Sequence, residues 1–387
     1  MKTYFHSGVF RAISFLLAVA VLGLSVTGCE QRDKYASKYA PEIEALFSGK
    51  TPLTYGNNQT AERISIDLTR KFWGKNVVIK SVLFLPAGTA KVPVMTILHS
   101  SGGLRMHDFN YVRELLGMGV GAYLIDSFTG RGITSSFDNQ GKVTPFSLVV
   151  DAMSGLAGIQ SLPRVDGNRV GVIGFSKGGI TAGATAMNYW LAQMPGNKLK
   201  YQLHIMVYPS CSVQPYDMST TGAPVYMLLG EKDTYTGVEK CQLMAAKMKQ
   251  AGANILVKVY AGAQHRWDAP GGVDYMPEAE NYLKCLFEQQ KDGSWTEKSS
   301  GISGMKNLLG PLYNKAVSTC STKGAGGAYN EAMAKEAMQD IKAIVQKDLL
   351  RASPIPAPAP VQAPVLTPAP APAAKAPAAA PKPASKK

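Results

Sequence analysis

Short, almost continuously apolar runs recur through the middle of the chain, and they limit its possible folds more than any other feature. Such runs are typical of strands buried on both faces of a parallel sheet. Helix-like segments separate them, and this alternation predicts a doubly wound, mostly parallel α/β sheet with helices on both faces. The predicted strands cover residues 77–85, 92–98, 120–125, 170–175, 203–208, 225–229 and 255–260. The predicted helices cover residues 107–118, 145–161, 177–193 and 237–251.

The amino-terminal end has the architecture of an export signal. Basic residues from Lys2 to Arg11 precede an apolar run over residues 12–26, which is shorter than the ~20 residues that span a bilayer. The next residues, Val26-Thr27-Gly28-Cys29, resemble the motif at which bacterial lipoproteins are cleaved and acylated. We therefore predict a lipid anchor on Cys29 and a location on the periplasmic side of a membrane in the bacterial cell envelope. Valine stands where leucine is usual, which leaves ordinary secretion open.

The carboxyl-terminal end differs from the middle in composition. From about Ser353 it is a Pro/Ala string with scattered lysines, which cannot bury enough apolar surface to offset its ordering entropy. We expect a disordered tail that either contacts the envelope or only aids solubility. We predict that the segment 277–347 is helical. The chain then divides into a signal peptide (1–28), a lead-in (29–60), an α/β domain (61–295), a helical extension (296–352) and the tail (353–387).

The net charge of +14 includes the basic leader and the lysines of the tail, so the body between them is only mildly basic. It lacks a cluster of Lys and Arg interleaved with aromatic residues, so nucleic-acid binding is not predicted.

Export also makes disulfides the expected state of the remaining cysteines, because they persist in oxidising compartments. None of the four has zinc-ligand spacing. Of the three pairings that four cysteines allow, we favour Cys211 with Cys241, since both are expected near the same sheet edge, and hence Cys285 with Cys320.

The stretch from Arg169 to Gly179 runs from a strand through Gly174-Phe175-Ser176-Lys177-Gly178 into a helix. This is the context of a nucleophile elbow, in which a tight turn projects a serine from the sheet edge. Side chains two positions either side of the serine would clash, which explains the two glycines. The backbone N–H of Lys177 would face a developing oxyanion.

A serine nucleophile needs a base, and elimination among five histidines favours His265. His6 lies in the signal, His204 lies within a strand, and His99 and His107 precede the serine. The acid should follow the preceding strand, where Asp233 stands. The order Ser, Asp, His is the one used by hydrolases with this elbow. Glu231 and Asp217 remain competing acids.

With these motifs the chain resembles the dienelactone hydrolase-like branch of the α/β-hydrolase superfamily over roughly residues 64–288. The matching pieces are residues 98–103, 126–132, 174–178, 229–233 and 261–265. The family's namesake enzymes use cysteine as the nucleophile, so Ser176 does not imply dienelactone chemistry. The resemblance implies a second oxyanion donor in the first of these loops, at Ser101 or Gly102.

Two further residues stand near the same predicted edge. Arg131 could bind an anionic group of a substrate or form an ion pair with Asp126. Trp267 could line a pocket or pack its loop.

Together these residues predict a serine hydrolase that cleaves an ester-like acyl bond of a small molecule, with no metal or other cofactor. Two alternatives stay open. One is a serine peptidase or amidase on the same scaffold. The other is an envelope lipoprotein that retains the fold without catalysis.

Overall fold

The computed structural model describes residues 40–72, 74–194, 196–271 and 274–351. The predicted signal peptide, the predicted lipid anchor at Cys29 and the Pro/Ala tail lie outside these residues, and so do residues 29–39 of the lead-in.

A large mixed sheet of eight strands forms the centre of the molecule, in the order β3-β4-β6-β5-β7-β8-β10-β11. The strands from β6 to β11 run parallel, whereas β4 is antiparallel to both of its neighbours. The strands of this sheet are β3 (Glu62–Phe72), β4 (Lys75–Leu85), β5 (Val92–Leu98), β6 (Gly121–Asp126), β7 (Val165–Phe175), β8 (His204–Val207), β10 (Val225–Gly230) and β11 (Ile255–Tyr260).

Helices cover both faces of this sheet, because alternate apolar residues along each strand enter different cores. Met95 and Ile97 of β5 pack in one core with α2 and α8, whereas Val94 and Leu98 pack in another with α3 and α4. This layering confirms the predicted fold class. The helices are α1 (Ala40–Ser48), α2 (Met106–Gly117), α3 (Pro145–Ile159), α4 (Lys177–Ala184), α5 (Asn188–Leu191), α6 (Glu239–Gln250), α7 (Pro311–Cys320) and α8 (Glu331–Val345).

The segment after residue 274 corrects the prediction that residues 277–347 are helical. Its first part forms strands, and α7, β15 and α8 follow. The hairpin of β13 and β14 turns at Asp292-Gly293, a strong turn signal. The other strands of this segment, β12 and β15, form because they pair with each other over a long distance in the sequence. The small strands are β1 (Thr54–Tyr55), β2 (Gln59–Thr60), β9 (Val213–Gln214), β12 (Tyr275–Asn281), β13 (Phe287–Gln289), β14 (Trp295–Glu297) and β15 (Thr322–Gly326).

The helix predicted over residues 177–193 is shorter than expected. It ends at Ala184, and the separate helix α5 begins at Asn188. Between them Met187 forms a β-bridge with Thr220, so the chain leaves the helix to pair with another loop.

Two disulfides join Cys211 to Cys241 and Cys285 to Cys320, which is the pairing favoured from the sequence. The first ties the loop after β8 to α6, and the second ties the segment before β13 to the end of α7. Among the described helices, none is long and apolar enough to cross a membrane.

Candidate active site

The turn between β7 and α4 holds Ser176 in a strained backbone conformation, with φ 54° and ψ −112°. A Cβ on Gly174 would lie 2.0 Å from the carbonyl oxygen of Gly178, and a Cβ on Gly178 would lie 2.1 Å from that of Leu98. Only glycine therefore fits at either position. Strain of this kind persists where surrounding structure imposes it, often at functional sites.

Ser176, His265 and Asp233 come together at the carboxyl ends of β7, β11 and β10. Parallel strands end at the same sheet edge, which is where open α/β sheets bind ligands. His265 Nε2 lies 3.1 Å from Ser176 Oγ, and His265 Nδ1 lies 2.7 Å from Asp233 Oδ2. All three residues are buried. The nucleophile, base and orienting acid predicted from the sequence thus form one hydrogen-bonded chain.

The loop after β10 prepares the carboxylate of Asp233 for this contact. The backbone N–H groups of Tyr235 and Thr236 each donate to Oδ1 at 2.8 Å, and the Thr236 hydroxyl donates to Oδ2 at 2.6 Å. Burial alone would raise the pKa of Asp233. The charge of His265 and the hydrogen bonds from His265 and Thr236 outweigh burial and lower this pKa to about 2. Asp233 is therefore ionised at neutral pH.

The competing acids lie elsewhere. Glu231 is exposed and accepts a hydrogen bond from the backbone N–H of Gly262 at 2.7 Å. Asp217 is also exposed and accepts from the backbone N–H of Ser219 at 2.9 Å. Glu231 thus bonds to the backbone of the loop after β11 and Asp217 to its own loop, and the contact with His265 comes from Asp233.

The candidate oxyanion residues lie around the elbow. Lys177 is the first residue of α4, so its backbone N–H is among those that a helix leaves without an intrahelical acceptor. The backbone N–H of Gly102 donates to Ser100 Oγ at 3.3 Å. The hydroxyl of Ser101 donates to Gln140 Oε1 at 3.0 Å, and its carbonyl accepts from the backbone N–H of Ser136 at 2.7 Å.

Arg131 fits neither of its predicted roles. Its side chain is only 2% exposed and forms a bidentate ion pair with Asp151 of α3, at 2.6 and 2.9 Å. The carboxylate of Asp151 is fully buried and needs a cation beside it, which explains the pairing. Asp126 instead accepts hydrogen bonds from Phe128 and Thr129 in its own loop.

Aromatic rings pack around the His265 loop. Trp267 is fully buried against Tyr208 and Tyr260, with ring centroids 4.9 and 5.2 Å apart, so it packs the loop and does not line a pocket. The rings of Tyr208 and Tyr235 lie edge-on to the His265 imidazole, at 4.8 and 4.9 Å.

Of the other histidines, His204 is a core residue, as expected from its strand, although its buried Nε2 lacks a hydrogen-bond partner among the described residues. Its Nδ1 contacts the carbonyl of Ala182 at 3.1 Å, and burial lowers its pKa to about 4.

Several residues of this site were not predicted from the sequence. Thr236 and Tyr235 lie just beyond Asp233, and Tyr208 directly follows β8, so position after a strand could have indicated them. Gln140 is 36 positions before Ser176, at the start of a short 3₁₀ helix (Gln140–Lys142), and no sequence pattern marks it.

An elbow serine, an acid and a histidine that follow three parallel strands of such a sheet, in this order along the chain, define an α/β-hydrolase. The model of the dienelactone hydrolase family matches residues 79–284, more than half of the chain. The chain belongs to this family and is a hydrolase.

Solved structures similar to the chain include a Klebsiella pneumoniae protein described as a dienelactone hydrolase. It is 15% identical, with 74% of this chain and 99% of that chain covered and a TM-score of 0.45. A thermophilic esterase from Thermogutta terrifontis is 16% identical over 52% of this chain and 83% of that chain, with a TM-score of 0.42. An esterase from Pyrobaculum calidifontis is 17% identical over 53% of this chain and 77% of that chain, with a TM-score of 0.41. No curated protein matches the sequence.

Proposed function

We propose that this hydrolase cleaves ester-like acyl bonds of small molecules through an acyl-enzyme intermediate on Ser176. The observation that carries the proposal is the chain of two hydrogen bonds from Asp233 through His265 to the Ser176 hydroxyl. A serine hydroxyl is a weak nucleophile by itself, and an adjacent base oriented by a third group is the arrangement that activates it.

In the proposed reaction, His265 Nε2 takes the hydroxyl proton while Ser176 Oγ attacks the substrate carbonyl carbon. Asp233 holds the other ring nitrogen protonated and stabilises the imidazolium that forms. The tetrahedral intermediate collapses, the carbon–oxygen bond of the ester breaks, and the leaving alkoxide takes the proton from His265. Water then attacks the acyl-enzyme with His265 again as base, which releases the acid and restores Ser176.

The negative oxygen of the intermediate needs donors that are already in place. We assign the backbone N–H groups of Lys177 and Ser101 to this role. Gly102 is the weaker choice of the two loop candidates, since its N–H already donates to Ser100 Oγ.

The proposed test uses a fluorophosphonate probe, which reacts with activated serines, on the wild-type protein, Ser176→Ala and the control Ser318→Ala. Ser318 is an exposed serine of α7 that hydrogen bonds within its own helix. We expect labelling of the wild type and the control only, and a loss of about 10⁵–10⁶-fold in ester turnover for Ser176→Ala. A panel of aryl esters of graded chain length is compared with aminoacyl amides.

Labelling or near-full turnover in Ser176→Ala would contradict the assignment of the nucleophile. Faster cleavage of amides than of esters would favour the peptidase or amidase alternative. A wild-type protein that is neither labelled nor active would favour the non-catalytic alternative. A location in the cell envelope with a lipid on Cys29 stays a prediction, and the two disulfides agree with an oxidising compartment.

A further inference from the structure

The side chain of Lys177 is buried directly beside the nucleophile, and the reaction proposed above uses only its backbone. Its ammonium donates to three acceptors: the Ser136 hydroxyl at 3.0 Å, the Gln140 carbonyl at 2.7 Å and Gln140 Oε1 at 3.2 Å. All three acceptors are uncharged. Burying an ammonium without a carboxylate in contact costs several kcal/mol. An apolar side chain would fill the same space without that cost, so the charge calls for a functional explanation.

Gln140 connects this ammonium to the other parts of the site. Its Oε1 also accepts from the Ser101 hydroxyl at 3.0 Å, and its Nε2 donates to the Tyr235 hydroxyl at 3.0 Å. Its backbone N–H donates to Glu280 Oε2 at 2.6 Å. One side chain therefore contacts the elbow, the loop that holds Ser101 and the loop that holds Asp233.

Each of these contacts leads to a group of the proposed reaction. The Tyr235 ring lies edge-on to His265, and the Tyr235 backbone N–H donates to Asp233. The Ser101 loop is held a second time, through the hydrogen bond from Ser136 N–H to the Ser101 carbonyl. Ser136 is itself an acceptor of the ammonium. The turn over residues 136–142 is thus fastened to the elbow by Lys177 and to the oxyanion loop by two hydrogen bonds.

We propose that Lys177 is a positioning residue whose ammonium clamps the 136–142 turn, and thereby holds the Ser101 N–H and the His265 ring in register with Ser176. This inference rests on the proposed function. An ammonium has three N–H donors and each one is used, whereas a neutral amine has only two, so the clamp depends on the proton.

Lys177 changes its protonation state within the pH range in which enzymes usually work. Burial lowers the pKa of Lys177 to about 7, which Glu280 of β12 opposes and Lys142 reinforces. Other titratable groups at this turn are Tyr235, Asp138, which pairs with Lys142, and Lys323 of β15, which donates to the Asp138 carbonyl at 2.8 Å. Since Lys177 loses its proton as the pH rises through about 7, kcat should fall on that alkaline side.

The test compares Lys177→Met, which removes the charge at similar volume, with Lys177→Arg, which keeps it. Gln140→Leu removes the other half of the clamp. Lys240→Met is the matched control, since Lys240 is a partly buried lysine bonded to neutral oxygens outside this site. The readouts are kcat and KM measured separately from about pH 5.5 to 9, and the rate at which the fluorophosphonate probe labels Ser176.

We expect Lys177→Met and Gln140→Leu to lower kcat and the labelling rate by about 10–100-fold, because small misplacements of reacting groups cost rate at this scale. KM should change much less. The double variant should be little worse than either single variant, since the two residues act together. Lys177→Met should lack the alkaline fall in kcat, Lys177→Arg should recover part of the rate, and Lys240→Met should keep the wild-type profile.

An alkaline limb that persists in Lys177→Met, or wild-type kcat in Gln140→Leu, would overturn the clamp. If Lys177→Met fails to fold, Gln140→Leu and Lys177→Arg decide. Labelling that Ser176→Ala abolishes but that both clamp variants leave unchanged would retain the proposed function and overturn only this inference. A wild-type protein that is not labelled at all would overturn both.

Discussion

Two regions of the molecule each bind a lysine ammonium through uncharged oxygens. One is the active-site edge of the large sheet, and the other is the disulfide-closed segment after β12, which the Cys285–Cys320 bridge closes. At the edge, Lys177 bonds to the turn that carries Gln140. In the other region, Lys240 of α6 donates to the Ser212 hydroxyl at 3.3 Å and to the backbone carbonyls of Tyr282 at 3.0 Å and Cys285 at 2.8 Å. Burial lowers the pKa of Lys240 to about 8, although Glu239 and Glu297 oppose the shift.

The two lysines differ in what lies beyond their acceptors. From Lys177 the hydrogen bonds continue through Gln140 to Tyr235 and Ser101, next to the triad. From Lys240 they reach the Ser212 hydroxyl and backbone carbonyls at and near Cys285, which a disulfide fixes to Cys320. A lysine bonded to uncharged oxygens therefore aligns the reacting groups in one region and holds neighbouring segments together in the other. Variants at the sheet edge should change turnover, and variants in the disulfide-closed segment should change stability.

After Ser176→Ala, the largest effect should come from Asp233→Asn. The amide removes the charge that stabilises the imidazolium and favours the wrong tautomer of His265, so turnover should fall by up to about 10⁴-fold. The fold should persist, because the amide oxygen can still accept from the loop N–H groups. Steady-state kinetics and thermal unfolding of the same preparation measure the two quantities.

Glu231→Gln is the matched control, since it makes the same chemical change two residues earlier on an exposed side chain. Its turnover should stay within about twofold of wild type, as for most surface changes. A greater loss of turnover in Glu231→Gln than in Asp233→Asn would show that the acid is misassigned.

The next largest effect should be a loss of stability without a loss of turnover. Replacing both Cys285 and Cys320 with Ala opens a loop that spans a sequence separation of 35. The free energy of unfolding should fall by about 3–4 kcal/mol on the chain-entropy model. Turnover at 25 °C should stay near wild type while the protein remains folded. Equilibrium unfolding in urea measures the first quantity. A large loss of turnover in the folded variant would show that this segment also aligns the site.

The parts of this molecule that could be predicted from sequence are those fixed by local rules. The apolar runs predict the parallel strands because both faces of each strand are buried. The elbow motif predicts Ser176 as the nucleophile, because only glycine fits at positions 174 and 178. His265 and Asp233 follow because the order of strands brings their ends to one edge.

Local rules fail where long-range pairing decides the structure. β12 pairs with β15 about 45 residues away, and composition alone reads that segment as helical. Arg131 pairs with Asp151, which lies on a different element. The residues next to Arg131 in the sequence do not indicate this partner. Gln140 joins loops from three parts of the chain, so its role depends on the assembled fold.

The smallest effect tests the attachment role of the second lysine directly. Lys240→Met leaves buried carbonyls without their donor, so the free energy of unfolding should fall by about 1–3 kcal/mol at pH 7. Because the pKa of Lys240 is lowered on folding, unfolding takes up a proton between about pH 8 and 10.5. Raising the pH should therefore stabilise the wild type more than the variant, which lacks this proton uptake, and the gap between them should widen. Urea unfolding at pH 7, 8 and 9 measures this gap, while the pH profile of kcat should not change. A gap that narrows as the pH rises, or an altered profile of kcat, would remove the distinction between the two lysines.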